Sequence, residues 1–220
     1  MKFKNLAERL EFFTGQVDIY PVVSSEFCNN RSVLDVIEQI GAGGAKIFQL
    51  REKNCSDKTL YALGLEARKI ADRYGMLFLV DDRLDIALAC GADGVHLGQD
   101  DLPLAAARAL APELLIGSST HNIPEALQAC KDKCGYLNIG PIYPTNTKSV
   151  ACGALGVSAI PEISAVIDCP FTVMGGIKAH CIPELRKAGA KRIAMVTEIT
   201  QAVDIAQKVN ELRQLFDLHP

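Results

Sequence analysis

Short apolar runs of strand length alternate with stretches of helical periodicity from Val17 almost to the end of the chain. Strands that are buried on both faces are nearly continuous in hydrophobic residues, and most of these runs have that composition. The predicted strands are Val17–Val23, Ala45–Leu50, Met76–Val80, Gly94–Leu97, Leu114–Gly117, Tyr136–Ile139, Phe171–Met174 and Arg192–Val196. Eight alternations of strand and helix are typical of an α/β protein built as a single (β/α)8 TIM barrel.

Helix boundaries are indicated by residues that cap helix ends. Between positions 56 and 74, apolar side chains recur every three or four residues, Ser56 or Asp57 can serve as the N-cap, and Gly75 follows the last turn. A second amphipathic segment is expected to end at Gly41. A short extra helix is predicted within residues 1–16, so we expect an N-terminal helical extension followed by a barrel over residues 17–220.

The composition favours one domain and narrows the class of partner. The chain has 220 residues, of which 49% are hydrophobic, and this is enough for one well-filled barrel. A net charge of −3 and a pI near 5.8 give no overall basic field, so neither nucleic acid nor an anionic membrane is an expected partner. With no signal segment and no apolar run of membrane-spanning length, we expect a cytoplasmic protein, and the amphipathic outer helices leave a homo-oligomer open.

Eight cysteines are spread along the chain. A chain of this size does not need crosslinks for stability, so we expect reduced and partly buried thiols. Cys130 and Cys134 have helical spacing and could hold half of a metal site, but the sequence shows no matching Cys/His pair that would complete it.

Polar residues at the strand ends mark the expected active site, because β/α barrels carry their sites at the carboxyl ends of the strands. The second strand runs through Gln49 towards Arg51 and Lys53, and period-two geometry sends these three side chains to the same side. They would bring an amide and two cations to the barrel mouth. Solvated surface charge is the alternative, although a glutamine inside an apolar run fits it poorly.

Carboxylates follow the next two strands. Asp81 and Asp82 follow the third strand, and Asp100 and Asp101 follow the fourth. Facing two cations, they favour a bridging Mg²⁺, which accepts one or two carboxylates together with phosphate oxygens. The alternative is that these aspartates cap the helices that come next. His96 is interpreted as a hydrogen-bonded interior residue rather than a catalytic one.

The later strands end in hydroxyl groups and glycines. After the fifth strand, residues 118–122 contain hydroxyls and a histidine that can bind phosphate, although Thr120 or Asn122 can equally cap the next helix. The loop from Gly140 to Lys148 is stiffened by two prolines, and its two threonines and its lysine suit anionic oxygens.

Strands seven and eight are expected to supply a phosphate cup. Gly175 and Gly176 follow the seventh strand, and Val196 and Thr197 follow the eighth. Backbone N–H groups at these two strands commonly bind phosphate in this fold. The mouth would then have cations and carboxylates on strands two to four and neutral N–H groups and hydroxyls on strands six to eight. This division suggests a metal-bound diphosphate on one side, a monophosphate on the other, and a reaction that joins two phosphorylated molecules.

In their order and strand placement, these motifs resemble those of the thiamine phosphate synthase family along nearly the whole chain, from Tyr20 to Thr200. The matching pieces are Gln49–Lys53, Asp82, Gly94–Asp101, Ser119 with His121, Gly140–Lys148 and Gly175–Ile177. The family joins 4-amino-5-hydroxymethyl-2-methylpyrimidine diphosphate to a thiazole phosphate and releases diphosphate.

The resemblance also implies a role for each matching residue. It implies that Asp82 and Asp101 hold Mg²⁺ and that Gln49 seats the pyrimidine. Asp81 is itself a departure from the family, and we expect it to accept a hydrogen bond from the pyrimidine amine. The implied catalytic set, which binds the diphosphate, is Arg51, Lys53, Ser119 and Lys148. The residues implied to hold the thiazole and its phosphate are Thr145, Thr147, Gly176, Val196 and Thr197. In the implied mechanism the C–O bond to diphosphate breaks first and the thiazole nitrogen captures the resulting cation, so no general base is assigned.

Three departures from the family pattern keep two other functions open. Asp81 stands where the family commonly has asparagine, Lys191-Arg192 replaces a frequent Asp-Gly pair, and Thr197 replaces a usual serine. A related barrel isomerises the thiazole phosphate by proton transfer, and such a tautomerase could use His121 as its base. A non-catalytic regulator that binds a phosphorylated ligand is the third reading.

Overall fold

A computed structural model describes residues 3–145, 147 and 153–218. Eight parallel strands form a closed barrel in chain order, and the last strand pairs with the first. The strands are β1 (Ile19–Val23), β2 (Ile47–Leu50), β3 (Leu77–Asp81), β4 (Gly94–Leu97), β5 (Leu115–Thr120), β6 (Tyr136–Ile139), β7 (Phe171–Val173) and β8 (Ile193–Met195). Each overlaps its predicted position, so the (β/α)8 barrel is confirmed.

Helices surround the barrel, and one more precedes it. They are α1 (Leu6–Gln16), α2 (Val33–Ala42), α3 (Asp57–Tyr74), α4 (Leu84–Ala89), α5 (Leu104–Leu110), α6 (Ile123–Lys131), α7 (Ala159–Ser164), α8 (Ile182–Lys187), α9 (Thr197–Thr200) and α10 (Ile205–Asp217). Within the described part of the chain, none of them combines the length and the apolar character that a membrane span requires.

Two of the predicted helix ends can be compared with the observed ones. Ser56 is the N-cap of α3 and its hydroxyl accepts the Thr59 N–H, while Gly75 ends the helix with φ +65°. Gly41, by contrast, lies inside α2, and the prediction that it ends the helix was wrong. Its missing side chain instead makes room for Tyr74 on α3, whose ring a Cβ at this position would strike. The glycine therefore serves helix packing and not helix termination.

The N-terminal helix α1 packs against the barrel interior. Phe13 is fully buried among the interior side chains, with its ring 4.7 Å from that of Tyr136. Arg192, just before β8, donates from Nε to Phe13 O at 2.9 Å and from Nη2 to Thr14 O at 2.7 Å, and its guanidinium lies over the Phe13 ring. Carbonyls in the last turn of a helix lack intrahelical donors, so Arg192 satisfies groups that would otherwise be orphaned. The attachment of α1 explains the departure at Arg192, and nothing in the structure explains the one at Lys191.

Candidate active site

A pocket opens at the carboxyl ends of the strands, where the sequence places the site. Of the predicted site residues, those that line it are Gln49, Arg51, Asp81, Ser119, Thr145, Thr147, Gly176, Val196 and Thr197. Lys53, Asp82 and Asp101 do not line the pocket itself, and Lys148 lies outside the described residues. The pocket therefore lies where the sequence places the site, and predicted residues from six of the eight strand ends line it.

The end of β2 and the end of β3 form a charged cluster. Arg51 Nε and Lys53 Nζ each lie 3.3 Å from Asp81 Oδ2, and Lys53 also contacts the Asp82 carboxylate. Glu52 turns the opposite way, where its two oxygens accept the N–H and the hydroxyl of Ser25 at 2.6 Å each. The alternation predicted for Arg51 and Lys53 is confirmed, because both cations face the Asp81 carboxylate.

Asp82 occupies a strained turn directly after β3. Its φ is +58°, in the left-handed region, and the Arg83 N–H donates back to Asp81 O at 2.7 Å across this single residue. A side chain in this conformation costs about 1–3 kcal/mol, and such strain tends to occur at functional sites. The Asp82 N–H donates to His96 O at 2.8 Å, so the turn is held against β4. The strain supports a functional role for this carboxylate.

The helix-cap alternative for the aspartates was wrong. The residues at the N-cap positions of α4 and α5 are Arg83 and Pro103, and neither helix receives a side-chain cap. Asp101 instead accepts the Gly98 N–H at 2.6 Å through Oδ2, within the loop that follows β4. Its second oxygen can still coordinate a cation. Asp82 and Asp101 thus follow two paired strands as oxygen donors, and this donor type fits Mg²⁺.

A chain of hydrogen bonds runs through the barrel interior beneath the pocket. Gln49 Nε2 donates to Tyr20 OH at 2.9 Å, and Tyr20 OH lies 3.0 Å from Tyr136 OH. Tyr136 OH lies 2.9 Å from His96 Nδ1, and His96 Nε2 lies 3.0 Å from Ser119 Oγ. The interior role predicted for His96 is confirmed. This interior chain connects two predicted site residues, Gln49 and Ser119, that belong to separate strands.

One arrangement of protons satisfies every contact in the interior chain. An amide nitrogen can only donate, so Tyr20, which accepts from Gln49, has its own proton available for Tyr136. In this arrangement Tyr136 donates to His96 Nδ1, and the ring proton on Nε2 is directed at Ser119. Burial raises the pKa of both tyrosines, so both keep their protons near neutral pH. The Ser119 hydroxyl accepts from His96 and retains its own proton for a ligand in the pocket.

The opposite side of the mouth is formed by the ends of β6, β7 and β8. Ile142 N–H donates to Met174 O at 2.8 Å and Tyr143 N–H donates to Gly175 O at 3.0 Å, so the two loops run side by side. Gly176 has φ +64°, and a Cβ there would lie 2.9 Å from that of Tyr143. Glycine is therefore required for the loops to approach this closely. In the first loop, the Thr147 N–H donates to Thr145 Oγ1 at 3.2 Å.

A cation on this side was missed by the sequence analysis, which expected only neutral groups here. Lys178 lines the pocket, and its Nζ lies 3.3 Å from Thr197 Oγ1 and 3.4 Å from Glu198 Oε2. Its position two residues after Gly176 is the signal that could have found it. Asn138, on β6, also lines the pocket and was not singled out. The second side of the mouth is thus suited to a charged ligand without a metal.

His121 also lines the pocket and has a carboxylate partner. Its Nδ1 lies 2.8 Å from Glu125 Oε2, and its backbone N–H donates to the same oxygen at 2.9 Å. Asn122 is the N-cap of α6, where its side chain accepts the Glu125 N–H, so one of the two predicted cap assignments is confirmed. Held in this way by Glu125, His121 has the arrangement of a base that could serve proton transfer.

Known proteins are similar to this chain in both sequence and fold. Residues 19–199 match the family model TMP-TENI, described as thiamine monophosphate synthase. A thiamine-phosphate synthase of Shouchella clausii is 42% identical over 188 residues, which cover 85% of this chain and 90% of that protein. One from Lawsonia intracellularis is 40% identical over 90% of this chain and 91% of that protein.

Among solved structures, a thiamine phosphate pyrophosphorylase from Pyrococcus furiosus superposes with a TM-score of 0.86 at 30% identity, covering 94% of this chain and 98% of that one. A 3-hexulose-6-phosphate synthase, 19% identical with a TM-score of 0.64, shares the fold alone. On the extent of these matches, the chain belongs to the thiamine monophosphate synthase family of transferases.

Proposed function

We propose that the protein joins 4-amino-5-hydroxymethyl-2-methylpyrimidine diphosphate to a thiazole phosphate and releases diphosphate. The observation that carries this proposal is the division of one mouth into two charged halves. Arg51 and Lys53 face carboxylates on one side, and Lys178 lies beside Thr197 and Gly176 on the other. Two phosphorylated substrates, one with and one without a metal, match this arrangement.

The diphosphate half would hold the leaving group. Asp82 and Asp101 are the residues that would hold Mg²⁺, and the ion would neutralise charge on the diphosphate oxygens as the C–O bond breaks. Arg51 and Lys53 supply fixed cations beside the same oxygens, and Ser119 can donate the proton that the interior chain leaves to it. Lys148 is proposed as a further contact from the sequence resemblance. Charge on the leaving oxygen is thereby met by groups already in place.

The pyrimidine ring would lie above the interior chain. Because Gln49 Nε2 donates to Tyr20, its carbonyl oxygen is the atom that can accept a hydrogen bond from the pyrimidine amine. Asp81 lines the pocket nearby on β3 and can accept from the same amine. Electron donation by that amine stabilises the methylene cation left after diphosphate departs. Two acceptors at the amine favour that cation without a general base.

The thiazole phosphate would occupy the opposite half. Thr145 and Thr147 offer hydroxyls, Gly176 and Val196 offer backbone, and Thr197 offers a hydroxyl next to the ammonium of Lys178. With its phosphate anchored there, the thiazole nitrogen would lie close to the methylene carbon and capture it. Holding the two reactants at contact distance is the main contribution that the protein makes to this bond-forming step.

One observation favours a second candidate function. The contact between His121 and Glu125 provides a base at the mouth, as a tautomerase acting on the thiazole phosphate would require. Such an isomerase has no use for the charged cluster around Arg51 and Asp81. The synthase is therefore the function that accounts for more of the site.

Diphosphate release tests the proposal. Purified protein is mixed with both phosphorylated substrates and Mg²⁺, and we expect equimolar diphosphate and coupled product. The variant Arg51→Ala is expected to slow release by weakening the binding of the pyrimidine diphosphate, while Arg73→Ala, which changes an exposed arginine on α3, serves as its matched control. Isomerisation of the thiazole phosphate without diphosphate release would identify the tautomerase instead, and ligand binding without either reaction would identify a regulator. We also propose the cytoplasm as the compartment, on the sequence pattern alone.

A further inference from the structure

Three cysteines converge at the end of the barrel opposite the pocket. Cys130 lies in the last turn of α6, Cys134 lies just before β6, and Cys169 lies just before β7. Their sulfur atoms all lie within 4.8 Å of one another, and Cys134 Sγ is 3.8 Å from Cys169 Sγ. We call these three residues the thiol cluster. The sequence analysis recognised Cys130 and Cys134 but expected no residue that would complete a site.

The backbone conformation at the end of α6 brings Cys134 close to Cys130. The Cys134 N–H donates to Ala129 O and the Lys133 N–H donates to Cys130 O, both at 3.0 Å, which is the hydrogen-bond pair of a Schellman motif. Lys133 takes the left-handed position of that motif, with φ +60°, where glycine is usual. The backbone thus fixes two of the three sulfurs before any ligand binds. Cys169 joins them from the neighbouring strand, since β6 pairs with β7.

The spacing matches a metal ion better than a disulfide. A tetrahedral ion with metal–sulfur bonds of about 2.3 Å separates its sulfurs by about 3.8 Å. A disulfide would require two sulfurs to approach to about 2.05 Å and would leave the third thiol unused. The distance between Cys134 and Cys169 already has the tetrahedral value. Soft thiolate sulfur selects Zn²⁺ and similar cations over Mg²⁺.

The surroundings offset the charge that such a site would carry. Three thiolates and one divalent ion leave a net charge of −1. Arg108 lies close enough to Cys134 for the two charges to interact, and its Nη2 is buried without a hydrogen-bond partner in the described structure. The negative charge of Asp168, by contrast, disfavours the thiolate form of Cys130 and raises the pKa of that thiol. A cation already placed beside the cluster favours the bound, anionic form.

We propose that the thiol cluster binds one Zn²⁺ through Cys130, Cys134 and Cys169, with water in the fourth position. The ion would tie the end of α6 to the loop before β7. It would be separate from the Mg²⁺ proposed at the mouth, because the two lie at opposite ends of the strands and use different donor atoms.

Zinc binding should release protons. A cysteine thiol without a metal ordinarily has a pKa of about 8.5 and is protonated near neutral pH. An ion that enters the thiol cluster must therefore displace protons. We expect affinity to rise with pH, because fewer protons then have to be displaced.

The test is a Zn²⁺ titration of the reduced, metal-free full chain. We expect one ion per chain, proton release into a weak buffer, and, with Co²⁺ as a probe, the absorption of a tetrahedral thiolate site. Cys134→Ser and Cys169→Ser should each weaken binding at least about tenfold. Cys55→Ser, at a half-buried thiol before α3, is the matched control and should bind normally.

Three results would overturn the proposal. One is Zn²⁺ affinity that is unchanged in both Cys134→Ser and Cys169→Ser. Another is an equal loss in Cys55→Ser, which would indicate unspecific thiol binding. The third is a protein that takes up no Zn²⁺ while mass spectrometry shows a Cys134–Cys169 disulfide after mild oxidation.

Discussion

His96 Nε2 lies 3.0 Å from Ser119 Oγ, and this contact joins the active-site mouth to the buried interior of the barrel. Through His96, the orientation of the Ser119 hydroxyl depends on Tyr136, Tyr20 and finally Gln49. A hydroxyl that must donate to a developing anion gains from being oriented in advance. The interior chain thus positions the hydroxyl of a residue that is proposed to bind the diphosphate.

Tyr136→Phe tests this positioning role. The variant keeps the ring that packs on Phe13 but removes the hydroxyl that links Tyr20 to His96. Loss of one oriented hydrogen bond is expected to lower kcat for diphosphate release about tenfold, equivalent to about 1.4 kcal/mol. KM for the thiazole phosphate should stay unchanged, because that ligand lies on the other side. Tyr61→Phe, on the exposed face of α3, is the control, and equal kcat values in both variants would argue against the interior chain.

Asp82→Ala and Asp101→Ala test the proposed metal ligands. Each removes one carboxylate that follows β3 or β4, and we expect diphosphate release to fall about 100-fold while the fold is retained. Raising the Mg²⁺ concentration should restore part of the activity. The exposed neighbour Asp100 provides a matched control, because Asp100→Ala removes the same charge from the same loop. Normal turnover of both variants at limiting Mg²⁺ would remove the metal assignment.

The two halves of the mouth can be separated by a pair of substitutions. Arg51→Ala is expected to raise KM for the pyrimidine diphosphate about tenfold or more and to affect the thiazole phosphate little. Lys178→Met should do the reverse, because its ammonium lies beside Thr197 on the opposite side. Thr197→Val should act in the same direction as Lys178→Met. If each variant weakens both substrates equally, the two-site division is wrong.

Much of the fold could be predicted because its signals are local. Continuous apolar runs mark the eight strands, and Ser56 and Asn122 cap helices by contacts three residues away. Arg51 and Lys53 could be assigned to one side because strand alternation is a property of the backbone. Gly41 misled the analysis because one residue type serves both helix termination and close packing, and only the neighbouring helix α3 decides between them.

The rest of the site depends on contacts between distant parts of the chain. Tyr20 and Tyr136 are 116 residues apart, and neither stands out within its apolar strand. Cys169 joins Cys134 from 35 residues away, so the thiol cluster has no spacing motif. Lys178 acquires its role only through its approach to Thr197 from the adjacent strand end. Such residues can be recognised only from the three-dimensional structure of the closed barrel.

Arg192→Met tests the attachment of α1. The substitution removes a buried guanidinium, with a pKa lowered by burial to about 10, that donates to Phe13 O and Thr14 O. Two carbonyls lose a charged donor, and we expect a loss of about 2 kcal/mol in the free energy of unfolding. For a chain of this size, that lowers Tm by about 4–8 °C. Lys191→Met, at an exposed position, is the control, and an unchanged Tm in Arg192→Met would show that the other contacts of α1 are sufficient to hold it.

Asp81 is the departure that most directly affects the proposed chemistry, because it places a second carboxylate beside the proposed diphosphate site. Like charges held close raise each other's proton affinity unless a cation lies between them. In this structure the cations are present, since Arg51 Nε and Lys53 Nζ both lie 3.3 Å from Asp81 Oδ2. The carboxylate is therefore tolerated, but it competes with the substrate for the two residues that should bind the leaving group.

Asp81→Asn is expected to retain activity, because the amide oxygen can still accept from the pyrimidine amine while Arg51 and Lys53 are released towards the diphosphate. KM for the diphosphate substrate should stay the same or fall, and the rate should depend less on Mg²⁺ concentration, since less negative charge beside the diphosphate has to be neutralised. Both are measured by diphosphate release across a Mg²⁺ series. Asp85→Asn, which removes an exposed carboxylate paired with Arg83, is the control and should leave both values unchanged. A folded Asp81→Asn protein without activity would make this carboxylate an essential ligand or proton carrier, and Asp82 and Asp101 would then be an incomplete metal site.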